Sequence, residues 1–568
     1  MSPVEWGVHQ MVDFEVAFQG PPRDDEVGRC LKPLPLDLTL RTLGLLGAIL
    51  HNSRQALSKD LQLNFLDQLQ SRLPYFRRAR RALVRETSAV LLHPEQIAVL
   101  NKFAILHCAG SSVPSNWHDL FLRALLAYNY FLGRELHPEG DANPLRMGDE
   151  RRATFLKAEL HGLFHQHERV QNLIYRYSEF LSWTESETAR SSANYLPVKA
   201  QFAELMGMPF EEYLAAIYAL LGYFSQIRRV GAEPFLEYKA YIRTLPHSGA
   251  FERWIQMHSQ TIEQFKADLR DDQADLFSGP SVLAFLKRPL LRLSDTVLHC
   301  PYIGNIENEF GSGLYFKLWE AYTRLGGGER FPRLFSEFFE CHIVRTVERI
   351  SQIAGLKYSA EKRFKGGKKS TDVVIFERPR VIFVEVVATR INYPRGVADF
   401  NIEIIKRDLK NMVIDKAKEL HDNILAFRNG EFCFEGHDRH HYAKVYPVIV
   451  TPYRLPGLLA VPEYIREQLR HAGYLQDTYP LQILDVESFE GLEKPLADGA
   501  SLADLLTRKL ADARTADESF VNYLHYHEPI VKLQVSDYLK SSYHKTYLSM
   551  LEGLEQWGMD TAGLRSIG

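Results

Sequence analysis

The sequence predicts a mixed α+β or α/β protein in two parts. Residues 1–325 form a large, mainly α-helical region. Residues 326–568 form a domain with an αβββαβ core at 330–451 and a helical extension at 452–568. Three observations carry this. Apolar residues recur at helical spacing through most of the first 325 positions. A short β-prone hairpin, 371–387, reads T-D-V-V-I-F-E-R-P-R-V-I-F-V-E-V-V. Around it the chain runs helix, strand, hairpin, helix, strand.

In the N-terminal part, helices are expected at 36–49, 59–73, 95–107, 117–132, 151–164, 209–227 and 251–269. Turn signals such as Gly110-Ser111-Ser112 and Pro138-Glu139-Gly140 separate them. Residues 12–18 alternate enough to predict a strand. One predicted helix carries Arg77, Arg78, Arg80, Arg81 and Arg85. Of these, Arg77, Arg81 and Arg85 share one stripe at i, i+4, i+8, which suits either a solvated face or phosphate contacts.

Gly326-Gly327-Gly328 marks the expected boundary. Beyond it, Leu334, Phe335, Phe338, Phe339, Val344, Val347 and Ile350 repeat at helical spacing up to Gly355. A strand is expected at 356–364. The hairpin follows, its turn set by Arg378-Pro379, because proline fixes φ and is excluded from a central strand. Centring the turn there places Asp372 opposite Glu385. Cross-strand partners have Cβ atoms about 4.5–5.5 Å apart. Two carboxylates that close repel unless a cation lies between them. A helix at 402–427 and a buried strand at 444–451 complete the core. A helix at 462–472, a strand at 480–486 and further helical segments at 501–512 and 516–557 make the extension.

This element order, with an acid entering the second strand and another near the end of the third, resembles the PD-(D/E)XK nuclease superfamily, the restriction-endonuclease-like fold. The resemblance covers about 330–451. It implies a Mg²⁺ (or Mn²⁺) site with Asp372 and Glu385 as ligands, the Val386 carbonyl as a third, and a helix acid, Glu340, completing it; Glu337 is the other candidate for that acid. The family's lysine, two positions after the glutamate, is Val387 here. The resemblance therefore implies a lysine from the following helix, Lys406 or Lys410. It also implies a nuclease acting on nucleic acid, DNA in the first instance, and a place in defence against foreign DNA. The alternative is an inactive nuclease-like module that binds nucleic acid or a protein partner.

Lys365, Lys368 and Lys369, on a glycine-hinged basic run just before Asp372, are expected to contact phosphates. Arg390 is a further nucleic-acid-binding candidate. His437, Asp438, His440 and His441 read as a polar loop.

Composition sets the outer limits. The 568 residues carry a net charge of −3, so no global basic field draws in nucleic acid, and any binding must be local. Five scattered cysteines without a C-x-x-C pair speak against a zinc ribbon. H-E-x-x-H, G-x-S-x-G and the P-loop pattern are absent. Without a leader-like start or a run long enough to span a bilayer, the chain reads as cytoplasmic. The helical N-terminal half is a possible protein-partner surface.

Overall fold

The computed structural model describes residues 10–52, 59–68, 74–85, 89–92, 94–136, 170–227, 232–243, 248–270, 283–364, 367–391, 402–455, 460–516, 520–528 and 537–556. The chain divides into two units. One takes 1–142, 202–314 and 548–568; the other takes 143–201 and 315–547.

In the first unit, helical periodicity is realised in Leu36–Asn52, Lys59–Gln68, Pro74–Arg85, Pro94–His107, Trp117–Leu136 and Phe210–Ser225. The apolar stripes of the first five meet in one core that includes Leu40, Leu43, Ile97, Leu100, Leu122 and Leu125. The helix expected at 151–164 lies outside the described residues. Two expectations fail. Residues 12–18 do not form a strand: Phe14–Phe18 is a short helix, capped by Asp13, whose Oδ1 accepts the Val16 N–H at 3.0 Å. Phe14 and Ala17, three apart, are its buried side chains, and that spacing outweighs the apparent alternation. The helix expected at 251–269 is broken into Ser248–His258 and Ile262–Arg270 by a strand, Ser259–Thr261. The cause is a capping box. Thr261 Oγ1 accepts the Gln264 N–H while Gln264 Oε1 accepts the Thr261 N–H, at 3.2 and 2.9 Å. That strand joins a four-stranded mixed sheet with Leu290–Arg292, Val297–His299 and Phe235–Glu237.

The second unit holds the β-rich core. Helix α1 (Val170–Trp183) packs Phe180 against Phe331, Phe335 and Phe338 of helix α2 (Arg330–Ala354). This aromatic contact is one reason the described segment 170–201 belongs with the C-terminal half, although a single sequence boundary would fall near 325. Helix α2 buries Leu334, Phe338, Ile343, Val347 and Ile350 and ends on Gly355, whose φ of 67° is the left-handed cap that glycine adopts without strain. Strands β1 (Lys357–Ala360), β2 (Val373–Glu377) and β3 (Arg380–Val386) pair antiparallel in sequence. Helices α3 (Ile402–Leu409) and α4 (Asp415–Asn429) follow, joined by a π turn at Lys410–Ile414. Strand β4 (Lys444–Thr451) then pairs parallel to β3, and, after helix α5 (Ala460–Ala472), strand β5 (Gln482–Asp485) pairs parallel to β4. The sheet order is β5-β4-β3-β2-β1. Val373–Phe376 and Val381–Val386 are buried at every position. Such continuous burial is what a strand covered on both faces requires, and it explains the unbroken apolar runs in the sequence. α2 packs on β1 and β3, and α4 on β3 and β4. Among the described residues, no helix is long and apolar enough to cross a membrane.

Candidate metal centre

The β2–β3 hairpin turns on Arg378-Pro379, a cis peptide, and pairs Val373 with Val384 through Glu377 with Arg380. Extending that register by one step sets Asp372 against Glu385, as the turn-centred reading requires. The Asp372 Oδ2 accepts the Val386 N–H at 2.7 Å, which fixes the carboxylate at the strand end. Val386 thus meets Asp372 through its N–H, whereas the resemblance implied its carbonyl as a ligand.

Two more acids converge there. Glu340 comes from α2. Glu361 follows β1, whose pairing of Ala360 with Val373 carries it to Asp372. One carboxylate oxygen from each of Glu340, Glu361 and Asp372 lies within 4.8 Å of the others. Burial, then the charges of Asp372 and Glu361, push the Glu340 carboxyl up to about 7. Glu385 is 3% exposed, and burial followed by the Asp372 charge raises it well above the usual carboxylate range. Burial also raises Asp372, opposed by the Val386 N–H and by Lys416. Asp372 and Glu385 thus share one end of the hairpin, and burial raises both carboxyls, Glu385 the more strongly because the Asp372 charge adds to it.

Two lysines stand beside this group: Lys369, whose Nζ lies 2.8 Å from Glu361 Oε2, and Lys416, in the first turn of α4. The Lys416 Nζ lies 3.5 Å from Glu385 Oε2 and 2.5 Å from Glu419 Oε2. Lys406 and Lys410, the lysines expected from the sequence, point elsewhere. Lys406 Nζ lies 3.4 Å from Glu403 Oε1, and Lys410 Nζ 2.7 Å from Asp415 Oδ1. A π turn that begins at Lys410 and ends at Ile414 widens one turn and rotates the residues that follow it, Lys416 among them, around the helix axis.

Glu337, the alternative helix acid, accepts instead from Asn194 Nδ2 at 2.8 Å. The expected phosphate-contacting residues are occupied locally. Lys368 pairs with Glu431 at 2.7 Å and Lys369 with Glu361 at 2.8 Å. Lys365 lies outside the described residues. The Arg390 guanidinium sits over the rings of Tyr315, Phe335 and Tyr453, at 4.6, 5.7 and 5.9 Å. The histidine tract is a loop: His437 stacks on Phe376 and Asp438 caps the turn at Arg439–His441.

Sequence reasoning missed Glu361 and Lys416. The first was accessible in principle, because a β1–β2 pairing ending at Ala360 and Val373 puts position 361 beside 372. The second depends on a π turn that carries no clear sequence signature. Comparisons with protein-family models, with curated proteins and with solved structures gave no match for the chain.

Proposed function

We propose that the second unit is a metal-dependent nuclease. It hydrolyses phosphodiester bonds in nucleic acid, DNA in the first instance, on a restriction-endonuclease-like core. The carrying observation is the convergence of Glu340, Glu361 and Asp372. Acids held this close raise one another's proton affinity, and a divalent cation, Mg²⁺ or Mn²⁺, relieves that repulsion directly. The donor set also suits such an ion, since all its atoms are carboxylate oxygens. When bound, the ion polarises a phosphoryl oxygen and lowers the pKa of its water.

The chain's own groups have separate tasks. The Val386 N–H orients Asp372. Glu385, backed by Lys416, stands beside Asp372 and holds or releases a proton as the site loads. Lys416 places a positive charge next to the acids, where it stabilises charge building on a phosphate. This supplies the role for which position 387 has only valine. Valine at 387 also favours a second reading, a nuclease-like module that binds nucleic acid or a protein partner without cutting. Incubating supercoiled, linear duplex and single-stranded DNA, and RNA, with the full chain and Mg²⁺ or Mn²⁺ separates the two. Cleavage lost in Asp372→Asn supports the first; binding without cleavage by the wild-type chain supports the second.

A further inference from the structure

The Pro74–Arg85 helix belongs to the first unit and has no part in the site above. Its sequence, P-Y-F-R-R-A-R-R-A-L-V-R, holds five arginines and no acid. The apolar face is spent on the protein itself: Phe76, Ala79 and Leu83 are buried. Two arginines are also committed. Arg78 Nε donates to the Ala17 carbonyl at 2.5 Å, and Arg80 pairs with Asp67 at 3.1 Å. Arg77, Arg81 and Arg85 are exposed, and no described residue forms a hydrogen bond or ion pair with them. Successive members stand four residues apart, about 6 Å along the axis. The result is a rigidly seated row of three guanidinium groups in a chain whose net charge is −3.

We propose that this row is a docking surface for the phosphate backbone of a nucleic acid. A line of evenly spaced cations matches a linear polyanion better than a compact one. Guanidinium forks engage phosphate oxygens two at a time. Lipid is the poorer partner, because the helix's apolar face is buried and, among its described side chains, only Val84, 55% exposed, is large, apolar and exposed. Contacts to phosphate position a strand without reading its sequence. The row therefore gives the chain a sequence-independent hold on nucleic acid, separate from the acidic site. The inference rests on the nuclease reading only for the choice of polymer.

Fluorescence anisotropy of a labelled 30-base-pair duplex, titrated with the full chain in EDTA at several salt concentrations, tests it. The triple variant Arg77→Ala, Arg81→Ala, Arg85→Ala is expected to bind at least tenfold more weakly at 0.1 M salt. Its log–log salt slope should shrink by about 0.9 per arginine, about 2.7 in all. If the triple variant does not fold, Arg81→Ala alone should lose about 0.9 of slope. An Arg→Lys triple variant should keep the slope. Unchanged affinity and slope in the folded alanine variant overturn the proposal, as does tighter binding of polyglutamate or of anionic vesicles than of the duplex. Cleavage intact with stripe-independent binding removes this inference and leaves the nuclease reading standing; stripe-dependent binding without cleavage does the reverse.

Discussion

Glu340, Glu361, Asp372 and Glu385 share one small volume, so protonation is part of their chemistry. The Glu340 carboxyl sits at about 7, against an ordinary value of 4.5, because of burial and its acidic neighbours. A raised carboxyl pKa favours the folded protein while the group holds its proton. That contribution is complete below about pH 4.5 and is lost as pH rises through about 7. Metal-free protein should therefore melt at a lower temperature at pH 8 than at pH 5.5, and Mn²⁺ should recover the difference at pH 8. Asp372→Asn should melt higher than wild type at pH 8 without metal. Scanning calorimetry in EDTA checks both; a metal-free melting temperature that rises over this range would contradict the repulsion argument. Lys416 gives the second expectation at this scale. Lys416→Met should lower the cleavage rate by about 10²–10³, the cost of removing one preorganised charge-stabilising group. Lys406→Ala should stay within a few-fold of wild type. Single-turnover rates at saturating metal decide, and the reverse ranking would return the role to Lys406.

At the level of elements, what could be read from the sequence follows from the length and strength of each local signal. The hairpin was legible because one proline can only lie in the turn, which fixes every pair up to Asp372 and Glu385. Helix α2 was legible because its stripe runs from Phe331 to Ile350 and closes on Gly355. The three-residue strands of the first unit were not, since three positions cannot display an alternation. Nor was the interruption at Ser259–Thr261, where apolar spacing on both sides imitates one helix. There the capping box outweighs the periodicity. Thr261→Ala should cost about 1 kcal/mol, the usual value of an N-cap side chain. For a unit of this size that is about 2–4 °C in melting temperature. An unchanged melting temperature would mean that the strand pairing with Leu290–Arg292, not the cap, enforces the break.

Over the whole molecule, the segment 170–201 is bound to the C-terminal half by more than aromatic contact. Arg176 Nε and the Glu490 carboxylate lie 2.9 Å apart, and His342 Nε2 lies 2.8 Å from the same oxygen. All three side chains are buried. Burial by itself would raise Glu490, but Arg176 and His342 hold it at about 2. The sign is opposite to that of Glu340: this contribution is complete above the ordinary carboxylate value and fades as pH falls toward 2. Arg176→Ala leaves a buried carboxylate unpaired and should destabilise the second unit by about 3–5 kcal/mol. Chemical denaturation at pH 7 measures it, and a loss below 1 kcal/mol would show that water or His342 compensates. No local sequence signal links positions 176 and 490, which is why one boundary near 325 looked sufficient.

A divalent cation held by Glu340, Glu361 and Asp372, as proposed, is open to direct measurement. Electron paramagnetic resonance of Mn²⁺ titrated into the full chain at pH 8 tests it most directly. Wild-type protein is expected to show a saturable site that weakens below about pH 7, where Glu340 takes up a proton, and that is lost in folded Asp372→Asn. Free Mn²⁺ signal throughout the wild-type titration, or equal binding by Asp372→Asn, would contradict it.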